Sequence, residues 1–152
     1  SGIWGITLES PVELNEKVMQ IPQQAMQYVK DTKSYVGTVG DLHINVTVSH
    51  YVDTAQADLE GAAKGSIAGL KQTVTKKGGT GFSYDTQRTY VSGNEAILVT
   101  TEYASPTMNG KVKSRSVVFM DFPKLWMVQT TFMDNPNNAI MAERIIGSIE
   151  KE

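Results

Sequence analysis

Apolar and polar residues alternate along much of this chain, most regularly over residues 42–52. There Leu42, Ile44, Val46, Val48, His50 and Val52 fall on one face of an extended segment, and His43, Asn45, Thr47, Ser49 and Tyr51 on the other. With the residues ahead of them they predict a hairpin over 34–52 that turns near Gly40-Asp41. A second alternating stretch, 95–122, is divided by Asn109-Gly110, a pair suited to a type I′ turn because both central positions need positive φ. Folding there sets Ile97 opposite Phe122, Val99 opposite Met120 and Thr101 opposite Val118 on one face. Leu98, Thr100 and Glu102 then meet Asp121, Phe119 and Val117 on the other. Further strands are predicted from Phe82 to Tyr103 with a turn at Ser92-Gly93-Asn94, and from Trp126 to Met133 after a turn at Pro123-Lys124-Leu125. Near the start, Ile6, Leu8, Val12 and Leu14 alternate about Pro11, which confines that short strand to an edge or a bend. Residues 16–33 carry no clear period. Pro22 is placed to open a helical turn through Gln23, Ala25, Met26 and Tyr28, but the apolar spacing there defines no element.

The period changes after residue 52. Leu59, Ala63, Ile67, Leu70 and Val74 follow one another at spacings of four, four, three and four, a single helical stripe. The predicted helix runs over about 54–76, with Asp53 as N-cap and Gln56 at the N3 position. Asp53, Asp58 and Glu60 lead it and Lys71, Lys76 and Lys77 close it, as the helix dipole favours, before Gly78-Gly79 stops it. A last helix begins at Asn135-Pro136, a cap followed by proline in the first turn, and continues through Ala142, Ile145, Ile146 and Ile149. The order is strands, helix, four antiparallel strands, helix, with no repeat, low-complexity tract or linker. That predicts an α+β fold, a single domain spanning residues 1–152, built on a mainly antiparallel sheet with helices packed against it.

Composition narrows the chemistry. A chain of 152 residues buries roughly 70% of its unfolded surface and needs no covalent staple. It has no cysteine, which excludes disulfides, thiolate metal sites and cysteine nucleophiles. A formal net charge of −2 argues against general affinity for nucleic acid or anionic lipid. No apolar run approaches the ~20 residues that span a bilayer. The start, Ser-Gly-Ile-Trp, has neither an initiator Met nor a charged and apolar leader, so the expectation is a processed N-terminus with a signal peptide or lipid anchor upstream.

No constellation of catalytic or metal-binding residues emerges. His43 and His50 are seven residues apart, which puts them on opposite faces of one strand, and neither has a second ligand at helical spacing. Within Gly65-Ser66-Ile67-Ala68-Gly69 the serine is one place too early for a nucleophile elbow and falls inside a helix. Lys76-Lys77-Gly78-Gly79-Thr80-Gly81 resembles a phosphate loop but follows a helix and precedes a strand, so a helix stop explains it better. In Asp134-Asn135-Pro136-Asn137-Asn138 the proline takes a position where a calcium loop needs a ligand, and capping accounts for the polarity. No catalytic residue, metal or cofactor is expected.

Two features ask for a reason. Gly61, Gly65 and Gly69, preceded by Ala57, form a smooth ridge at i, i+4 spacing, each glycine costing about 0.5–1 kcal/mol against alanine. The ridge is expected to receive another backbone, by packing within the chain or as a homodimer contact. Lys111, Lys113 and Arg115 share one face of a strand beside Asn109-Gly110, either as a solvated sheet end or as a small contact point for an anionic partner.

The order of elements, the strand Trp126-Met127-Val128-Gln129-Thr130-Thr131-Phe132, the capped turn and the helix Ala142-Glu143-Arg144-Ile145-Ile146-Gly147-Ser148-Ile149 together resemble the PsbP-like superfamily. That superfamily includes the extrinsic photosystem subunit PsbP, bacterial envelope proteins of the DcrB type and a small Ran-binding nuclear transport factor. The resemblance implies an antiparallel sheet with helices on both faces, an α/β/α sandwich, and a non-enzymatic role as an accessory or binding protein. No photosystem or Ran contact motif is matched, so no partner-binding residue is carried over. The expected function is a non-catalytic, extracytoplasmic accessory or protein-interaction domain of a bacterial envelope, monomeric or weakly homodimeric. The alternative is a carrier in which Tyr51, Trp126 and nearby methionines line an apolar pocket between sheet and helix.

Overall fold

A computed structural model describes residues 2–3, 5–18, 26–52, 58–107 and 109–152. Its main sheet has seven strands, all paired antiparallel, in the order β3-β4-β5-β9-β8-β7-β6. β4 (Val29–Val39) and β5 (Leu42–Tyr51) form the predicted hairpin about Gly40-Asp41, with Gly40 at φ +59. β6 (Thr80–Val91), β7 (Asn94–Ala104), β8 (Lys111–Asp121) and β9 (Lys124–Met133) form a meander whose last strand returns beside β5. β3 (Asn15–Lys17) pairs with β4 at one edge. The helices are α1 (Leu59–Lys76), between β5 and β6, and α2 (Pro136–Gly147), after β9. A small second sheet joins the two ends of the chain through β1 (Gly2–Ile3), β2 (Ile6–Thr7) and β10 (Glu150–Lys151).

The two faces of the main sheet carry different cores. Ile44, Val46, Val48, Val117, Phe119, Trp126 and Val128 point to the α2 side and are essentially inaccessible, with Ala142 and Ile145 of α2 and Ile6 and Leu8 of the N-terminal segment packed over them. Phe119 and Trp126 stack there at 5.2 Å between ring centroids. On the opposite face a much smaller cluster forms where Ala63 of α1 meets Ile97 and Val99, flanked by Leu59 and Ile67. The predicted α1 stripe is therefore the face that meets the sheet.

Several expectations are corrected. Ile97 pairs with Val118, Val99 with Ser116 and Thr101 with Ser114, so β8 is displaced toward its C-terminal end from the register that Asn109-Gly110 implies. The displacement is even, and every side chain keeps its predicted face. Core packing decides it: Phe119 now lies between Ala96 and Trp126, and Val117 between Leu98 and Val128, while Glu102 faces Lys113 instead of a valine. β7 instead ends at Ala104 and β8 begins at Lys111, which makes the connection longer than a two-residue turn, and Gly110 in it has positive φ, at +107. The turn with two positive φ values is Ser92-Gly93, at +49 and +80. The turn before β9 is Phe122-Pro123, shorter than expected, and its peptide bond is cis.

α1 starts later than expected. Asp58 is extended, caps the helix by accepting from the Gly61 N–H, and stands directly ahead of the apolar stripe. The Asp53 and Gln56 cap, Ala57 and the turn through Gln23 and Ala25 lie outside the described residues. Gly78, at φ +80, and Gly79 end α1 as read from the sequence, with the Gly79 N–H donating to the Val74 carbonyl at 2.8 Å. Asn135 caps α2, accepting from the Asn138 N–H at 2.9 Å. Only Ile6–Thr7 of the first predicted strand is extended in a sheet. Val12 and Leu14 instead cross over β4 as irregular chain, packed on the main core.

Among the described residues nothing packs onto the glycine ridge of α1 at Gly65 or Gly69. A Cβ on Gly65 or Gly69 would meet nothing within 4 Å among the described residues, and one on Gly61 would meet only the capping Asp58 side chain. Gly37 of β4 is the reverse case, since a Cβ there would lie 2.8 Å from Leu14, 2.9 Å from Val12 and 3.0 Å from the Glu13 carbonyl oxygen. Glycine at that position lets the N-terminal segment lie against the sheet. Gly37→Val is expected to lower the free energy of unfolding by about 1–3 kcal/mol, an overpacking cost read from the urea midpoint. Gly65→Ala is expected to raise it by up to about 1 kcal/mol, through helix propensity alone and equally at every protein concentration.

Candidate functional site

The residues singled out from the sequence are dispersed by the fold. His43 is exposed, its Nδ1 within 2.9 Å of Thr38 Oγ1 across the hairpin, and His50 is half-buried on the other face of β5. Ser66 is inside α1, its hydroxyl donating to the Ala63 carbonyl at 2.9 Å. Lys111 and Lys113 both approach Glu102, Lys113 also reaches Asp134 at 3.5 Å, and Arg115 donates to Glu143 of α2 at 2.9 Å. The three cations thus interleave with carboxylates, which leaves their strand face without a net positive patch. Asp134 and Asn138 serve structure too: Asn138 donates to Asp41 Oδ1 at 2.8 Å and to the Met133 carbonyl at 3.0 Å, tying the start of α2 to the β4–β5 turn.

Tyr51 and Trp126 do not share a pocket. Trp126 pairs with Val48 and belongs to the α2-side core, whereas Tyr51 alternates onto the opposite face of β5. Tyr51 is half-buried, and that burial raises its phenol above the ordinary value of 10. Among the described residues no three His, Asp or Glu side chains gather as a metal site would require.

What the fold does build is a cleft under α1. Of its 18 residues only Ala63 and Val74 are buried, so the helix rests on a narrow line of contact and leaves openings along both sides. On the side toward β6 a cavity of about 480 Å³ lies between Glu60, Lys64 and Ile67 of the helix and Tyr84, Arg88 and Ile97 of the sheet. On the side toward β9 a cavity of about 280 Å³ has Thr101, Ser114, Ser116 and Gln129 as its floor and Ser66, Gly69 and Thr73 as its wall. At the C-terminal end of α1 a third, of about 300 Å³, is floored by Tyr103, Val112 and Met133 with Lys77 and His43 beside it. Leu70 and Thr73 line both of the last two, which therefore adjoin as a groove along one side of α1.

The floor of that groove follows from strand register. Thr101, Ser114, Thr131, His43 and Thr38 stand in one row across five strands, each paired with the next. Ser34, Thr101, Ser114 and Ser116 on this face are all buried, although polar. They are satisfied locally: the Thr101 and Ser114 hydroxyls bond one another, and Ser34 donates to Asn45 Oδ1 at 2.8 Å. Gly69 adds no side chain on the helix side, which keeps the groove open there. Tyr103, in the floor near Val112, is also pushed above pKa 10 by burial. The arrangement offers hydroxyl and amide groups along the floor and aliphatic and aromatic contact at one end, with Lys77 the flanking cation. It suits holding a small molecule better than transforming one. Sequence reading missed this floor because serines and threonines alternating in strands look the same whether water or a helix lies over them.

The sequence matches no protein-family model and no curated protein. Its fold is found in solved structures. LpqN of Mycobacterium tuberculosis, described as involved in cell envelope biogenesis, superposes with a TM-score of 0.52 over 98% of this chain and 86% of its own, at 16% identity. PA94, a protein of unknown function from Pseudomonas aeruginosa, matches with a TM-score of 0.40 over 86% of this chain and 89% of its own, at 12% identity. At such identities the likeness to LpqN is one of fold.

Proposed function

We propose that this chain is a non-catalytic, extracytoplasmic binding domain of a bacterial cell envelope, whose groove beneath α1 receives a small, largely apolar molecule. The observation that carries the reading is the groove itself, an opening between a lightly seated helix and a sheet face of buried hydroxyls. Envelope residence draws support from the fold shared with LpqN, and from the resemblance to PsbP-like accessory proteins. The absence of catalysis draws support from the dispersal of the histidines and from the commitment of Asp41 to Asn138. An accessory domain that binds another protein is the second reading, favoured by the exposed aromatic side chains of β6.

The test uses N-phenyl-1-naphthylamine, a neutral apolar fluorophore. The wild-type chain is expected to bind it one to one with a Kd of about 1–100 µM. Gly69→Trp, whose side chain enters the groove from a position with free space around it, is expected to weaken binding at least about tenfold with the melting curve unchanged. Absence of binding up to about 1 mM, or equal affinity in Gly69→Trp, would remove the groove as the binding site.

Stability at high pH reports on Tyr103, in the groove, and on Tyr51, at the other end of β5 from His43. Because burial raises Tyr51 and Tyr103 above 10 in the folded chain, the unfolded chain ionises first. Their contribution is complete below pH 10 and is lost as the pH rises through the raised folded values. Urea melts from about pH 8 to about pH 11 are expected to show a fall above pH 10 that is shallower in the Tyr51→Phe, Tyr103→Phe double variant.

A further inference from the structure

The two edges of the main sheet differ. β3, at one edge, is three residues long, whereas β6, at the other, runs for 12. Long open edges invite pairing, and proteins blunt them with prolines, lysines, bulges or a covering segment. Among the described residues β6 has one such device, a bulge between Thr80 and Ser83 with Gly81 at φ +66. From residue 83 to residue 91 the strand is regular and contains neither proline nor lysine. Its side chains are exposed throughout residues 83–88, and its one cation, Arg88, is held by Glu60 of α1.

The Ser92-Gly93 turn decides which backbone groups of this edge are free. In a hairpin with a two-residue turn the flanking residues, here Val91 and Asn94, form a hydrogen-bonded pair, and bonding alternates from there. Thr89, Gln87, Asp85 and Ser83 therefore bond to β7, and Tyr90, Arg88, Thr86 and Tyr84 direct their N–H and C=O groups away from the sheet. Those outward positions are symmetric about Gln87. An antiparallel copy of β6 with a two-fold axis at Gln87 matches Tyr84 with Tyr90 and Thr86 with Arg88, each pair exchanging two bonds.

The side chains agree with that register. Tyr84 and Tyr90 share the α1 side of the strand, are 59% and 70% exposed, and become a cross-strand aromatic pair. On the other side Asp85 meets Thr89, Ser83 meets Val91, and the two Gln87 amides meet each other. The strand's single acid and single base never face their own kind. We propose that a second copy of this chain pairs along β6 about a two-fold axis at Gln87, continuing the sheet from one molecule into the next. The regular stretch is about 30 Å long and a sheet edge about 10 Å thick, so the contact buries less than the ~1,200 Å² of a stable complex. The dimer is accordingly weak, forming between about 10 µM and about 1 mM.

Sedimentation of the whole chain from about 5 µM to about 1 mM tests this. The mass is expected to rise toward that of a dimer with concentration. Thr86→Pro removes an outward N–H and no bond to β7, so it is expected to stay monomeric throughout with its melting curve unchanged. The sequence has no cysteine, which permits a register test. Gln87→Cys sets two thiols across the axis in a non-hydrogen-bonded pair with Cα atoms about 4.5 Å apart, within disulfide reach. Mild oxidation should cross-link it at least about tenfold faster than Asp85→Cys, whose thiols lie on opposite sides of the axis. A wild-type mass constant up to about 1 mM, a dimer that survives Thr86→Pro, or equal cross-linking of the two cysteine variants would each overturn the proposal.

Discussion

The pairing of β5 with β9 holds this structure together. Every other contact within the main sheet joins strands that follow one another closely in sequence, but here Val46 meets Val128 and Val48 meets Trp126, with α1 and three strands intervening. Those four side chains are 2% exposed or less, and burying each contributes roughly 1.5–3 kcal/mol. α2 leaves the end of β9 and packs on β9 and β8 beside this seam, anchored by the Asn138 bonds to Asp41 and the Met133 carbonyl. Without the seam the β4–β5 hairpin would be severed from the meander against which α1 and α2 pack.

With so much apolar surface concentrated under α2, the opposite face of the sheet is released from making a core. It mixes buried hydroxyls with Val99, Val112 and Val118, and α1 meets it mainly through Ala63, Ile97 and Val99. Such a helix can shift or tilt at small cost, because few contacts are lost when it does. The division of labour is physical: one face carries most of the core, and the other leaves open space beneath its helix. A fully packed second face would be more stable and would have no groove.

The architecture was legible in the sequence because it rests on period. The alternation of residues 42–52 located β5, the four-four-three-four stripe located the face of α1, and Asn135-Pro136 located the start of α2. The β7–β8 register was not legible, since the Asn109-Gly110 turn preference is worth less than placing Phe119 and Val117 among Ala96, Leu98, Trp126 and Val128. The candidate site was scarcely legible at all. Its floor residues come from β7, β8 and β9 and become neighbours only through pairing, and a serine at an alternating position carries no mark of what covers it. Glycine spacing is ambiguous for a related reason, because the absence of a side chain reads alike whether it admits a neighbour, as at Gly37, or, among the described residues, meets open space, as at Gly65.

The small sheet that joins the chain ends has a mechanical consequence. Ile6 lies beside Lys151 and Thr7 beside Glu150, antiparallel, with the Glu152 N–H donating to the Gly5 carbonyl at 2.8 Å. Tension applied between the two ends therefore loads this clasp by peeling, one bond after another, since antiparallel ladder bonds lie across the strands. The clasp yields before the main sheet bears any load, and its release withdraws Ile6 and then Leu8 from over Phe119 and Trp126. A pull on this domain thus acts first on the core beneath α2, on the opposite side of the sheet from the groove under α1.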